Sequence, residues 1–280
     1  MTQTSTPLTL SPTLLAGDEG QLASGARPLL LAGPSLGTST QALWSPSLVH
    51  LAETFTVVGW DLPGHGRSAP SEAPFSIEDL ADGVESMLQR LTAEHGLPAS
   101  TPVIAAGVSI AGAVSLALAL RKDTRMDRLA AICTAASIGT PEAWLERAEL
   151  VDRAGTPTMV EGSAQRWFAP GFLDQHPDIV TDLLHSLQQT DRHSYAHACH
   201  ALSGHDLTEE LGRLARPLLV INGAEDGVCP PVEAERIAAA STSVGSGARV
   251  RAEILGGVGH LAPAEAPRET ARLLKEFLHD

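Results

Sequence analysis

Val103-Ile104-Ala105-Ala106-Gly107-Val108-Ser109-Ile110-Ala111-Gly112-Ala113 is the stretch that decides how this chain folds. The apolar run ending at Gly107 suits a buried strand, and the Ala- and Leu-rich segment running on to Arg121 suits a helix that starts at once. Ser109 stands between them, with Gly107, Ala111 and Gly112 around it. A strand that turns sharply into a helix needs small residues on both sides, because the two backbones nearly touch. The turn lifts the serine hydroxyl above the strand ends, and the helix points its free N-terminal N–H groups at whatever binds there. This is the geometry of a nucleophile elbow, in the form Gly-x-Ser-x-Ala-Gly. On its own the string also fits a serine that caps a buried helix.

The flanking chain repeats the strand-then-helix rhythm. Pro28–Ala32, Phe55–Asp61, Leu129–Ser137, Pro217–Asn222 and Val250–Leu255 read as further strands. A helix is predicted from Ile77 to about Glu94, capped by Ser76 with Asp79 behind it, and a closing helix over Ala264–Leu278. Near the N-terminus, Leu8–Leu15 and Gln21–Ala23 read as edge strands joined by a turn at Gly17–Gly20, with Pro12 confining the first to an edge. The fold class expected is α/β, a mostly parallel central sheet with helices on both faces. Between Gly139 and about Asp206 the strands stop, while Trp144, Trp167, Phe168, Phe172 and several histidines fall at helical spacing. That stretch reads as a helical lid inserted over the strand ends. The expected organisation is core over 1–138, lid over 139–206 and core again over 207–280.

Composition narrows the function. A net charge of -14 over 280 residues argues against nucleic acid as a partner, and any anion site has to be made locally. Cys133, Cys199 and Cys229 lie far apart, with no Cys-x-x-Cys, which suits a reducing compartment. No signal peptide and no membrane-spanning run is read, so a cytoplasmic protein without a membrane partner is expected. No pattern calls for a cofactor or a metal.

A serine hydroxyl is a weak nucleophile at neutral pH and needs a base, usually a histidine held by a carboxylate. In an open parallel sheet these groups belong on loops past the strand ends. Leu218–Asn222 leads into Gly223-Ala224-Glu225-Asp226, and Ile254-Leu255 into Gly256-Gly257-Val258-Gly259-His260. The order Ser109, Asp226, His260 is that of a hydrolase triad on such a sheet. Glu225 is the rival carboxylate. His65 sits in a Gly-flanked turn that it can hold by hydrogen bonds. His193, His197 and His200 share a helical face that could bind metal or simply line the lid, and nothing marks Cys229 as a nucleophile. The oxyanion donors expected are the Ile110 N–H and one from the Gly33–Gly37 loop, Ser35 first and Leu36 second.

With these residues in place the chain resembles the α/β-hydrolase superfamily over nearly its whole length. Within it, it resembles 3-oxoadipate enol-lactonases of the β-ketoadipate pathway, on Ser35-Leu36-Gly37-Thr38 with Trp44, on Thr134–Trp144, on Arg166-Trp167-Phe168-Ala169-Pro170 and on Tyr195–Leu207. It departs from them at Pro34, Leu62-Pro63 and Ala111, around the oxyanion loop and away from the three catalytic positions. The resemblance implies a serine hydrolase that opens a small carboxylated lactone without a cofactor, with Leu36, Trp144, Arg166 and Trp167 contacting substrate. Arg147, Arg153, Arg166 and Arg192 are candidates for its carboxylate, Arg166 favoured by its aromatic neighbours. The alternatives are a carboxylesterase, a tailoring lactonase or a C–C hydrolase acting on another small molecule. More remote is a binding protein for a small lactone. Oligomeric state is left open.

Overall fold

A computed structural model of the chain describes residues 8–243 and 248–280. The N-terminal reading of no signal segment falls partly on residues 1–7, outside the described residues. The elements run β1 (Pro12–Ala16), α1 (Glu19–Ser24), β2 (Leu29–Gly33), α2 (Thr40–Leu51), β3 (Thr56–Trp60), α3 (Ile77–His95), β4 (Val103–Val108), α4 (Ile110–Ala119) and β5 (Arg128–Ile132). Then come α5 (Pro141–Ala154), α6 (Val160–Trp167), α7 (Phe172–Gln175), α8 (Pro177–Gln189) and α9 (Arg192–Ser203). The chain closes with β6 (Leu218–Gly223), α10 (Val232–Ser243), β7 (Val250–Leu255), α11 (Ala262–Glu265) and α12 (Pro267–Phe277).

The seven strands form one sheet in the order β1-β3-β2-β4-β5-β6-β7, parallel throughout except for β1 against β3. Every residue of β2, β3, β4 and β6 is buried, as expected of strands covered by helices on both faces. The pairings Gly33↔Gly107, Val108↔Ile132 and Ile132↔Ile221 keep the C-terminal strand ends level, so the loops beyond them share one rim. The strand order also decides where on that rim a ligand sits. The chain runs outward from β2 to β3, then crosses back over β2 to β4, and the crevice at such a reversal is the natural binding site of an open parallel sheet.

The helices follow from local rules where those rules are strong. Ile77, Leu80, Val84, Met87, Leu88 and Leu91 make the buried stripe of α3. Ser76 and Asp79 form a full reciprocal capping box at its start, where a cap by Ser76 and a weak capping interaction by Asp79 are expected. Elsewhere the structure corrects the reading. Gln21–Ala23 belongs to a helix, not a strand: Asp18 caps it through the Gln21 N–H at 2.8 Å, and Gly25 ends it at φ 58°. β5 stops at Ile132, because Cys133 turns to φ 48°. The closing helix is two helices, parted before Pro267, whose ring cannot continue the first. Pro12 does open an edge strand. No helix among the described residues is long and apolar enough to cross a membrane.

Candidate active site

Ser109 sits between β4 and α4 at φ 56° and ψ -113°, a conformation costly for any residue with a side chain. Its neighbours hold it there. The Ser109 N–H donates to the Ile132 carbonyl at 2.8 Å, and the Ser109 carbonyl accepts from the Ala113 N–H at 2.9 Å and the Thr134 hydroxyl at 2.9 Å. The small residues have specific jobs. A Cβ on Gly107 would overlap the backbone carbonyl of Ala111, and one on Gly112 would lie 2.7 Å from Thr134 Cβ. Ala111 is tolerated because the residue facing it is Gly33, where an added Cβ would come within 2.6 Å of the Ala111 methyl. The departure at Ala111 is thus accommodated by a glycine on β2.

Asp226 and His260 are brought together by the loops after β6 and β7. These loops are stitched by Ala224 N–H to Leu255 O and Glu225 N–H to Val258 O, both at 2.9 Å. Gly223 permits the approach, since a Cβ there would strike the carbonyls of Val258 and Gly259. Both Asp226 oxygens face His260 Nδ1, at 3.0 and 2.9 Å, and Oδ1 also accepts from the N–H groups of Val228 and Cys229 at 2.8 and 2.9 Å. Both side chains are buried, while Glu225 is exposed, which removes the rival carboxylate. With Nδ1 facing a carboxylate, Nε2 is the ring nitrogen left to act as a base.

Sequence reading missed Glu265. This half-buried carboxylate accepts from the N–H groups of Gly259 (3.1 Å) and Leu261 (3.0 Å), on either side of His260, and of Ala169 (2.8 Å) in the segment between α6 and α7. His260 itself donates its N–H to the Trp167 carbonyl at 2.8 Å. Burial raises the Glu265 carboxyl above its ordinary value, while the three N–H groups and the nearby His260 oppose that shift. Its only sequence signal is its place five residues after the histidine.

Ser109 and His260 open on one cavity of about 160 Å³, shared with Ser35, Leu36, Trp144, Arg147, Arg166, Trp167, Tyr195 and a few small residues. A cavity of this size, mostly apolar with a few polar groups, suits a small organic molecule. It gathers Leu36, Trp144, Arg166 and Trp167, the residues expected to contact a substrate. Of the four arginines considered it takes Arg147 and Arg166. Arg153 and Arg192 do not line it. The Ile110 N–H, first of α4, has no acceptor among the described residues, nor has Leu36 N–H. The Ser35 N–H has one, the Thr38 hydroxyl at 3.1 Å.

The remaining titratable groups are accounted for locally. His65 is buried, its Nδ1 lies 2.9 Å from the Pro63 carbonyl, and burial lowers its pKa to about 4. It stacks on Tyr195, with ring centroids 6.2 Å apart. His193 pairs with Asp152 at 2.6 Å on the surface. The ligand atoms of Asp226, Cys229 and His260 lie within 4.8 Å of one another. Burial pushes the Cys229 thiol well up, away from the thiolate a metal needs, and the Asp226 oxygens are already taken by N–H groups and the imidazole, so the set does not fit a metal.

Comparison with known proteins identifies the family and the fold. The family model described as "Alpha/beta hydrolase family" matches residues 29–273. The chain is 35% identical over 202 residues to 3-oxoadipate enol-lactonase 2 of Acinetobacter baylyi, covering 72% of this chain and 73% of that one. It is 29% identical over 208 residues to 3-oxoadipate enol-lactonase 1 of the same organism, covering 74% and 75%. The crystal structure of the enol-lactonase from Burkholderia xenovorans superposes with a TM-score of 0.82 at 26% identity, covering 97% of this chain and 96% of that one.

Proposed function

The chain belongs to the alpha/beta hydrolase family, and from that premise we propose that it is a serine hydrolase opening a small carboxylated lactone, 3-oxoadipate enol-lactone foremost. The observation that carries the reading is the convergence of a serine on a strained turn and an Asp226-held His260 on one small cavity. The relatives named as enol-lactonases direct the choice of substrate.

In this mechanism His260 Nε2 takes the Ser109 proton as Oγ attacks the ring carbonyl. Asp226 fixes the imidazole tautomer and balances the imidazolium that forms. The developing oxyanion meets the Ile110 N–H at the start of α4 and an N–H of the Ser35-Leu36 turn, of which Leu36 is free and Ser35 must release Thr38. The ring C–O bond breaks, the enolate oxygen leaves with the proton from His260, and the enol relaxes to a ketone. Water, deprotonated by His260, then hydrolyses the acyl-serine. An enol is a comparatively good leaving group, so the acid step is undemanding.

The test is spectrophotometric loss of 3-oxoadipate enol-lactone by the wild type beside Ser109→Ala. Fast loss that falls roughly 10⁴-fold or more in the variant is expected. Retention of most activity by Ser109→Ala would refute the mechanism. Ser109-dependent turnover of an aryl ester without lactone loss would keep the machinery and replace the substrate.

A further inference from the structure

A second cavity adjoins the one at Ser109. It holds about 510 Å³, against about 160 Å³ at the serine, and Gly139 and Val228 line both. Ser109 and His260 line only the smaller one. Pockets for small organic molecules span roughly 300–1,000 Å³, so the larger cavity falls in that range and the serine cavity below it.

The walls of the larger cavity come from residues 135–137 after β5, residues 228–230 after β6, residues 208–211 and the first turns of α10. Hydrogen bonds fix them. Asn222 Nδ2 donates to the Thr134 carbonyl at 3.4 Å and to the Cys229 carbonyl at 2.9 Å, which ties the two loops together. The Leu207 N–H donates to the Ala136 carbonyl at 2.9 Å, which ties in the chain returning from the lid. A cleft already held open costs a ligand less to enter than one it must form.

The chemistry of the lining is that of a neutral apolar guest. Ala136, Leu211, Cys229 and Ile237 are buried in its walls, and Thr208 stands at an exposed position. Its two charged side chains, Glu233 and Arg236, are paired with each other, so neither is left for an ion. An alkyl chain gains by leaving water here, and a charged group finds no partner. Of the two residues shared with the serine cavity, Gly139 has no side chain and adopts φ 66°. Val228 is half-buried, and its N–H donates to Asp226 Oδ1 at 2.8 Å, so its backbone is anchored on the carboxylate that holds His260.

We propose that this cleft extends the substrate site and takes the apolar arm of an open-chain ester, with Val228 as the side chain that controls passage from Ser109 into it. The proposal rests on the hydrolase reading and extends it from lactones to neutral alkyl esters. The chemistry is unchanged. Ser109 Oγ takes the acyl group, the alcohol leaves with the proton from His260, and water releases the acid, so ester and water give acid and alcohol. A small lactone held in the serine cavity leaves the cleft unused.

The probes are ethyl acetate, ethyl hexanoate with a long acyl arm and hexyl acetate with a long alcohol arm, assayed by pH-stat. Each methylene taken out of water is worth roughly fourfold, so at least one long ester is expected to exceed ethyl acetate in kcat/KM by roughly tenfold or more. Thr208→Trp fills the cleft from its rim, and Val228→Phe narrows the passage. Each lowers that ratio by roughly fivefold or more, and a general loss of activity cancels in the ratio. Equal kcat/KM for all three esters in the wild type overturns the proposal, as does a long-ester preference that survives both substitutions. A second arm measures binding of the same esters to Ser109→Ala by calorimetry. The preferred long ester should bind roughly tenfold tighter than ethyl acetate, and adding Thr208→Trp should remove the difference. Equal binding of the esters to Ser109→Ala contradicts the proposal. If no ester is turned over, the hydrolase reading has failed for this class, and the binding arm alone decides whether the cleft takes an apolar chain.

Discussion

Replacing Gly107 by Ala pushes one methyl group into the backbone of the turn that carries Ser109. An ideal Cβ on Gly107 lies 2.8 Å from Ala111 Cβ and closer still to the Ala111 carbonyl carbon and oxygen. These are backbone atoms of a buried helix, not the end of a flexible side chain, so β4 and α4 have to separate by on the order of 1 Å. Overpacking of a tight core costs about 1–3 kcal/mol where side chains can yield, and here they cannot, so about 3 kcal/mol or more is expected. That is a large part of the stability of an ordinary domain. The same displacement moves Ser109 relative to His260, and a 1 Å misplacement of a reacting group costs roughly 100-fold in rate. The assay is urea unfolding together with kcat/KM on a Ser109-dependent substrate, with Gly256→Ala as the control, since nothing lies within 4 Å of a Cβ there. The control should stay within about 0.5 kcal/mol of wild type. A Gly107→Ala protein as stable and as active as the control would refute the reasoning about the turn.

Glu265→Gln keeps one acceptor oxygen where a carboxylate now receives N–H groups from Ala169, Gly259 and Leu261, and sets an NH₂ against at least one of those donors. A loss of about 2–3 kcal/mol in unfolding free energy is expected, with a kcat drop of roughly tenfold because the freed loop carries His260; unchanged Tm and kcat would contradict it. Burial lowers the pKa of both His65 and His205 from 6.5 to about 4. The unfolded chain therefore binds protons between those values that the folded chain refuses. Stability is fully present above pH 6.5 and declines as the pH falls towards 4, by up to about 3 kcal/mol for each histidine. Urea midpoints at pH 7, 5.5 and 4.5 should show a shallower decline in His65→Gln, and equal slopes in the two proteins would exclude His65 as a contributor.

What could be read from the sequence was whatever a local pattern enforces. Continuous apolar runs located β2, β3, β4 and β6 because buried parallel strands have no polar face to confuse the signal. The Ser109 turn was legible because its small residues are demanded by backbone contact within a few positions. α2 was not read, since Leu43, Trp44, Leu48, Val49 and Leu51 give no clean polar face and Pro46 lies inside it. Trp44 there reaches the Gly33 carbonyl and Ser47 the Pro263 carbonyl, long-range partners that no local pattern announces. α1 was misread because Asp18 and Gly25 bound only six residues, too short for periodicity to register. The site divides in the same way. Ser109, Asp226 and His260 stand where strands end, but Glu265 acquires meaning only when the chain between β5 and β6 is laid over those ends.

The central claim is that Ser109 is a nucleophile activated by His260 and Asp226. A fluorophosphonate that reacts only with activated serines tests it directly, read by intact mass and peptide mapping. One adduct per chain on Ser109 is expected, absent in Ser109→Ala and slowed by roughly 10³-fold or more in His260→Ala. A wild-type protein that stays unlabelled, or is labelled elsewhere while hydrolysis stops, would contradict the account.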